Sequence, residues 1–204
     1  MEIIDLKMKK NKKEFLATTF DGEIISLTPD VILKYSISVG EIDDQILEKA
    51  VFESNCSFAL NKSMNWLTAS YRSESELKKY LRDRKYNQDV ITYVVDKLKE
   101  YNFLSDENLA KTFVEYGQKK MGIYKMRQKL MEKGISKELI EKSLEEVEPQ
   151  DDICLRMLQK KIGNNERTRE NMAKAYRYLL SKGFDYDTIK RAFNKLDIDE
   201  ENLW

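Results

Sequence analysis

A pattern that returns every 49 residues constrains this chain more than any other feature. Tyr86, Ile135 and Phe184 are apolar plugs spaced at equal intervals of 49, and each sits where one helix stops and the next begins. Around the first run Leu77, Leu81, Val90, Ile91, Val94, Val95 and Leu98. Shifted forward once, the same places hold Met126, Leu130, Leu139, Ile140, Ser143, Leu144 and Val147; shifted again, Ala175, Leu179, Thr188, Ile189, Ala192, Phe193 and Leu196. Spacings of three and four put these residues on one face of a helix. Gly134 and Gly183 supply the backbone freedom of a helix stop, and Asn87, Ser136 and Asp185 are suited to cap the helix that follows. An earlier helix keeps the same register, with Leu60, Leu109 and Leu158 in one column and Met64, Phe113 and Ile162 in another. Each unit is therefore three helices, too poor in apolar surface to stand alone, and stacking is what buries its faces.

The remainder of the chain fits this frame. Two prolines and seven glycines among 204 residues, with abundant Lys, Glu, Leu and Ile, suit helices rather than sandwiches or barrels. The beginning differs. Ile4, Leu6 and Met8 alternate, as do Phe15, Ala17 and Thr19, and Asp21-Gly22 is a strong hairpin signal. A three-stranded meander with a lysine-rich first turn is expected there. Thr28-Pro29-Asp30 then opens a short helix ending near Ser36, and Asp43 caps a helix to about Asn55. The expected fold is mostly α: a head of β-meander and short helices over 1–55, then three-helix repeats over 56–104, 105–148 and 149–204. The repeats are expected to form an elongated, curved array. The last segment includes an acidic tail whose Trp204 is expected to tuck onto the third repeat.

Composition excludes much chemistry. With no histidine there is no imidazole base, no triad of the usual kind and no His-containing zinc site. No phosphate-cradling glycine loop occurs. Cys56 and Cys154 stand alone and read as reduced thiols of a cytosolic protein. The carboxylates lie among lysines at helical spacing, which is the pattern of solvated ion pairs. No catalytic residue, metal or cofactor is expected, nor a secretory or membrane-spanning segment. A monomeric cytoplasmic protein that is not an enzyme is the reading.

Net charge is zero, but its distribution is uneven. The head carries seven basic and eleven acidic side chains. From Gly117 to Gly134, six cations (Lys119, Lys120, Lys125, Arg127, Lys129 and Lys133) face Glu132 alone. The helix after it is acidic. Basic columns recur with the period: Lys125 with Lys174, Lys78 with Arg127, Lys79 with Arg177, and Arg84 with Lys133 and Lys182. The last set complements helix C-termini, whereas Lys125, Arg127 and Lys174 are expected early in their helices, where the dipole disfavours cations. A stripe of this kind can track a helical polyanion or an acidic protein groove. Lys78, Lys79, Arg82, Lys125, Arg127, Lys129, Lys174 and Arg177 are the candidate contacts, with Tyr71, Tyr124 and Tyr176 as candidate anchors.

Several stretches in order resemble the RecX family. Tyr71-Arg72-Ser73-Glu74-Ser75-Glu76-Leu77 is similar to the cluster that opens the middle helix of its first repeat. Ser105-Asp106-Glu107 through Phe113-Val114, then Met126-Arg127-Gln128-Lys129-Leu130 and Lys133-Gly134-Ile135, resemble its second repeat. Tyr176-Arg177-Tyr178-Leu179-Leu180 with Lys182-Gly183-Phe184 resembles the third, and Leu27-Thr28-Pro29-Asp30-Val31 the head of longer members. Ile123 follows Gly122 where the family commonly has proline, and lysines at 125 and 129 stand where arginines are frequent. The resemblance implies a non-catalytic regulator that lies in the groove of the RecA–single-stranded DNA filament. There it would restrain ATP hydrolysis, filament extension and strand exchange. A protein that binds DNA independently, and a helical scaffold for another acidic partner, remain open beside it.

Overall fold

The structure, a computed structural model, describes residues 1–10, 13–163 and 167–196. Among these are four strands and ten helices. The strands are β1 (Glu2–Met8), β2 (Phe15–Thr19), β3 (Ile24–Leu27) and β4 (Gly40–Glu41). The helices are α1 (Pro29–Tyr35), α2 (Asp44–Thr68), α3 (Glu74–Asp83), α4 (Gln88–Glu100), α5 (Asp106–Gly117), α6 (Ile123–Glu132), α7 (Lys137–Leu144), α8 (Asp151–Ile162), α9 (Arg169–Ser181) and α10 (Tyr186–Asn194). They fall into two compact units. One comprises Met1–Tyr71 and Glu76–Leu104; the other comprises Arg72–Ser75 and everything from Ser105 onward. The expected site of Trp204 lies outside the described residues.

In the first unit the sheet is antiparallel with strand order β3-β2-β1-β4. It has one strand more than the alternation predicts, because Gly40 and Glu41 pair with Ile3 and Glu2. Two residues carry no periodic pattern, so this strand has no signature in sequence. The buried face also differs from expectation. Ile3 is fully buried while Ile4 and Met8 are exposed, since a register shift between Ile3 and Asp5 moves the alternation by one. The Asp21-Gly22 hairpin forms as expected, with Gly22 at positive φ and its N–H donating to Thr19 O at 2.9 Å.

A second departure concerns α2. The helix that Asp43 caps does not stop near Asn55 but continues to Thr68. It serves two cores in succession: Leu47 and Ala50 face the head cluster, and Cys56 and Ala59 face the cluster of α3 and α4. Apolar residues consequently wind around it, and no single stripe marks where one role ends. Small residues let both neighbours come close. Ser54 and Ser63 are fully buried, Ser54 Oγ accepting from Thr28 N–H at 3.1 Å and Ser63 Oγ donating to Ala59 O at 2.7 Å. Leu60 and Met64, expected in the core, are only partly buried because Ala59 and Ser63 occupy the inner face.

Each three-helix repeat is built alike, its first and last helices packed together with the middle helix's paired apolar residues inserted beside them. Leu77 and Leu81, Met126 and Leu130, and Ala175 and Leu179 are those pairs, all at most 1% exposed. The last helices are capped as the sequence indicates: Asn87, Ser136 and Asp185 side chains accept from Val90, Leu139 and Thr188 N–H. Before each cap, Tyr86, Ile135 and Phe184 donate to Leu81, Leu130 and Leu179 carbonyls, closing three equivalent helix stops.

Candidate functional site

Because each middle helix buries residues four apart, its opposite face is left to solvent and carries the cations. On α6, Lys129 is exposed, Tyr124 is 60% exposed, and Lys125 Nζ donates to Gln128 Oε1 at 3.1 Å. On α9, Arg177 and Lys174 are exposed, Lys174 paired with Glu170 at 2.7 Å. The second unit thus gathers Lys125, Arg127, Lys129 and Tyr124 on one helix and Lys174, Arg177 and Tyr176 on another. In the first unit Lys79 and Arg82 are exposed on α3, Lys78 is half-buried, and Tyr71 is 74% exposed ahead of it.

Two of the named side chains are engaged with another helix of their own repeat. Arg127 makes a two-pronged ion pair with Glu141 of α7, Nε to Oε1 and Nη2 to Oε2 both at 2.8 Å, and lies over the Tyr124 ring. That hydrogen bonding holds the Glu141 carboxyl below, and the Arg127 guanidinium above, its ordinary range. Arg127 ties a middle helix to a last helix within one repeat. Tyr176 packs against the third-repeat core, its ring 6.4 Å from Phe193.

The dipole argument for these cations also changes. Lys174 lies beyond the first turn, since α9 starts at Arg169. Lys125 is in the first turn of α6, but the end of α9 abuts it: Gly122 N–H donates to Lys182 O at 2.9 Å and Tyr124 N–H to Gly183 O at 3.2 Å. The carbonyl end of one helix meets the amide end of the other, so a positive charge there has negative partial charges beside it.

This seam is drawn twice in the second unit, again 49 residues apart. Ser73 Oγ donates to Lys133 O at 2.5 Å, where Gly122 N–H meets Lys182 O in the later copy. Glu74 N–H is received by Asp106 Oδ1 at 2.9 Å, and Ile123 N–H by Gln150 Oε1 at 3.1 Å. Ile123 supplies a donor that proline at that place would lack.

Sequence reasoning missed Met131 and Leu180. They are 63% and 44% exposed and stand in one column with Arg82, on the outward faces of α6 and α9. The period carried that signal, but apolar residues are read first as core. Trp66 was also missed: it stacks on Tyr80 at 4.4 Å, with Arg84 3.6 Å above the Tyr80 ring. Among the described residues no cluster of Cys, Asp or Glu is arranged to hold a metal ion. None of their helices is long and apolar enough to cross a membrane.

The fold is that of a helical-repeat protein whose middle helices carry exposed cations and a few exposed apolar residues. Family profiles for the first, second and third three-helix domains of RecX match residues 59–98, 105–144 and 148–193. Regulatory protein RecX of Clostridium botulinum (strain Alaska E43 / Type E3) is 31% identical over 197 residues, covering 93% of each chain. That of Streptococcus gordonii is 31% identical, covering 96% of this chain and 78% of its own. The crystal structure of RecX from Lactobacillus salivarius superposes with a TM-score of 0.62 at 25% identity, over 70% of this chain and 97% of that one. A second structure, of a regulatory protein RecX, shares the fold with a TM-score of 0.68 at 19% identity, over 95% and 98% of the two chains. The chain belongs to the RecX family of regulatory proteins.

Proposed function

We propose that this protein binds the RecA–single-stranded DNA filament and restrains its ATPase, extension and strand exchange, acting as a cytoplasmic monomer without a cofactor in recombinational DNA repair. The observation that carries this reading is the recurrence of exposed cations on successive middle helices of a RecX-family chain. A partner that is itself helical, repetitive and anionic suits such a surface. The working parts are the head (1–55) and the three repeats (56–104, 105–148 and 149–204), with the second and third presenting the main contacts. Lys125, Lys129, Lys174 and Arg177 dock the partner through charge, joined by Lys78, Lys79 and Arg82, while Tyr71 and Tyr124 serve as anchors. Arg127 and Tyr176 act by holding this surface in place.

The test is RecA ATPase on single-stranded DNA, titrated with the protein, beside binding to bare DNA at two salt concentrations. Inhibition well below one protein per recombinase, with weak binding to bare DNA, is the expected result. Replacing Lys125, Lys129, Lys174 and Arg177 by Ala should raise the half-inhibiting concentration about ten-fold or more while helicity is retained. Tight, steeply salt-dependent binding to bare DNA with no ATPase effect would instead identify an independent DNA-binding protein. No effect in either assay would point to a scaffold for another acidic partner.

A further inference from the structure

The head contains a surface that the basic middle helices do not explain. Strand β3 is the terminal strand of its sheet, and among the described residues no strand pairs with its outer side. An unpaired edge is a row of free N–H and C=O groups, and proteins usually blunt it with a charge, a proline or brevity. The opposite edge is blunted in this way, since β4 has only two residues. Strand β3 is not: Ile24-Ile25-Ser26-Leu27 has neither charge nor proline, and Ile24 is 66% exposed.

Beside this edge runs a groove of about 600 Å³, the size of many ligand clefts. Four consecutive residues, Glu23 to Ser26, line one wall, so the groove follows the strand rather than one of its faces. The other wall is α2, through Leu47, Glu48, Val51, Phe52 and Asn55, which lie at helical spacing on one side. The charged side chains of the groove, Glu23, Asp44 and Glu48, are all acids, and the Met1 amine is held by Asp44 at 2.5 Å. The whole head is acidic by the same measure, with eleven acids against seven bases.

We propose that this edge and groove capture an extended segment of a partner protein, which adds as a further strand beside β3. The backbone edge supplies hydrogen bonds to any extended chain. The apolar wall and the acidic rim select one in which apolar residues alternate with Lys or Arg, because successive side chains of a strand face opposite ways. Charge complementarity disfavours an acidic segment, and no nucleic acid would settle among three carboxylates. The head therefore recognises a different chemistry from the middle helices.

The probe is a fluorescent Lys-Val alternating heptapeptide, compared with its Glu-Val counterpart and with a block-ordered peptide of the same Lys and Val content. The alternating basic peptide is expected to bind the full chain and to slow amide exchange within Ile24–Leu27. Ile24→Lys and Glu48→Lys, both at exposed positions where folding should be unaffected, should each weaken it about ten-fold. Equal binding of either control peptide, or unchanged exchange in β3, overturns the proposal. So does self-association in sedimentation that Ile24→Lys abolishes, since the occupant would then be a second copy.

Discussion

The helix stop at Lys85 and the one at Gly183 have nearly the same backbone and different residues. Their φ angles are 65° and 87°, and the residue after each closes the turn with a hydrogen bond of 3.3 Å. Lys85 accepts a left-handed conformation that costs a residue with a Cβ about 1–2 kcal/mol, and it does so on an exposed turn. Gly183 lies under the backbone of Lys125, and a Cβ there would fall on the Lys125 amide. Gly134 meets a side chain rather than a backbone: at φ 75°, its added Cβ would come within 2.6 Å of Ser75 Cβ and Oγ, and that Cβ moves only with its own backbone. Positive φ is thus tolerated without glycine, and close approach of another backbone is not. Gly122 and Gly183 report where chain is laid on chain.

Four measurements would break or sharpen that contrast. The largest effect is expected from Gly183→Ala, which combines an unfavourable φ with the clash on Lys125, for a loss of about 3 kcal/mol or more in urea unfolding. The two buried thiols should localise the damage, because Cys56 lies in the first unit and Cys154 in the second. Labelling of Cys154 should accelerate while that of Cys56 stays slow; equal acceleration would show that the seam is not the site of the loss. Gly122→Ala comes next. Gly122 has an ordinary φ of −78°, so only the approach to the Gly183 carbonyl opposes a Cβ, and about 1–3 kcal/mol is expected. A surface-like value below about 0.5 kcal/mol would mean that the backbones separate easily.

Lys85→Gly should act in the opposite direction. Relief of the left-handed strain outweighs the added freedom of the unfolded chain, giving a gain of up to about 1 kcal/mol. Loss of stability would show that the lysine side chain contributes to its turn. The smallest effect at neutral pH is expected from the thiols themselves. Burial pushes Cys56 up to about 11 and Cys154 up to about 12. Their contribution is complete below the ordinary thiol range and is lost as pH rises through it towards those values, because only the unfolded chain ionises readily. Parent and Cys56→Ala/Cys154→Ala should therefore keep a constant stability difference from pH 6 to 8. Above pH 9 the parent should fall faster, and a parallel course would contradict this.

Much of the molecule was legible beforehand because its repeats obey local rules. Caps at Asn87, Ser136 and Asp185, and plugs at Tyr86, Ile135 and Phe184, each depend on a handful of neighbours in the chain. The head was less legible. A two-residue strand has no period, and a bulge after Ile3 reverses the sense of an alternation that looks regular. The candidate surface was legible as a distribution of charge, since columns 49 residues apart can be counted. Its partition was not: Lys129 and Arg177 are presented to solvent, whereas Arg127, one column from Lys79, grips Glu141 fourteen residues further on. Nothing local distinguishes a lysine or arginine that will find a carboxylate on another helix from one that will not.

By itself the sequence determined the period, the helices, their stops and caps, and the basic character of the middle helices, because these follow from spacing and from contacts within a few residues. Only the tertiary structure decided that α2 runs on to serve two cores, that Gly122 and Gly183 bring two backbones together, and that Ile24 lies on an open edge. Those outcomes depend on which distant surfaces meet, and the free energy of such a meeting belongs to neither partner alone.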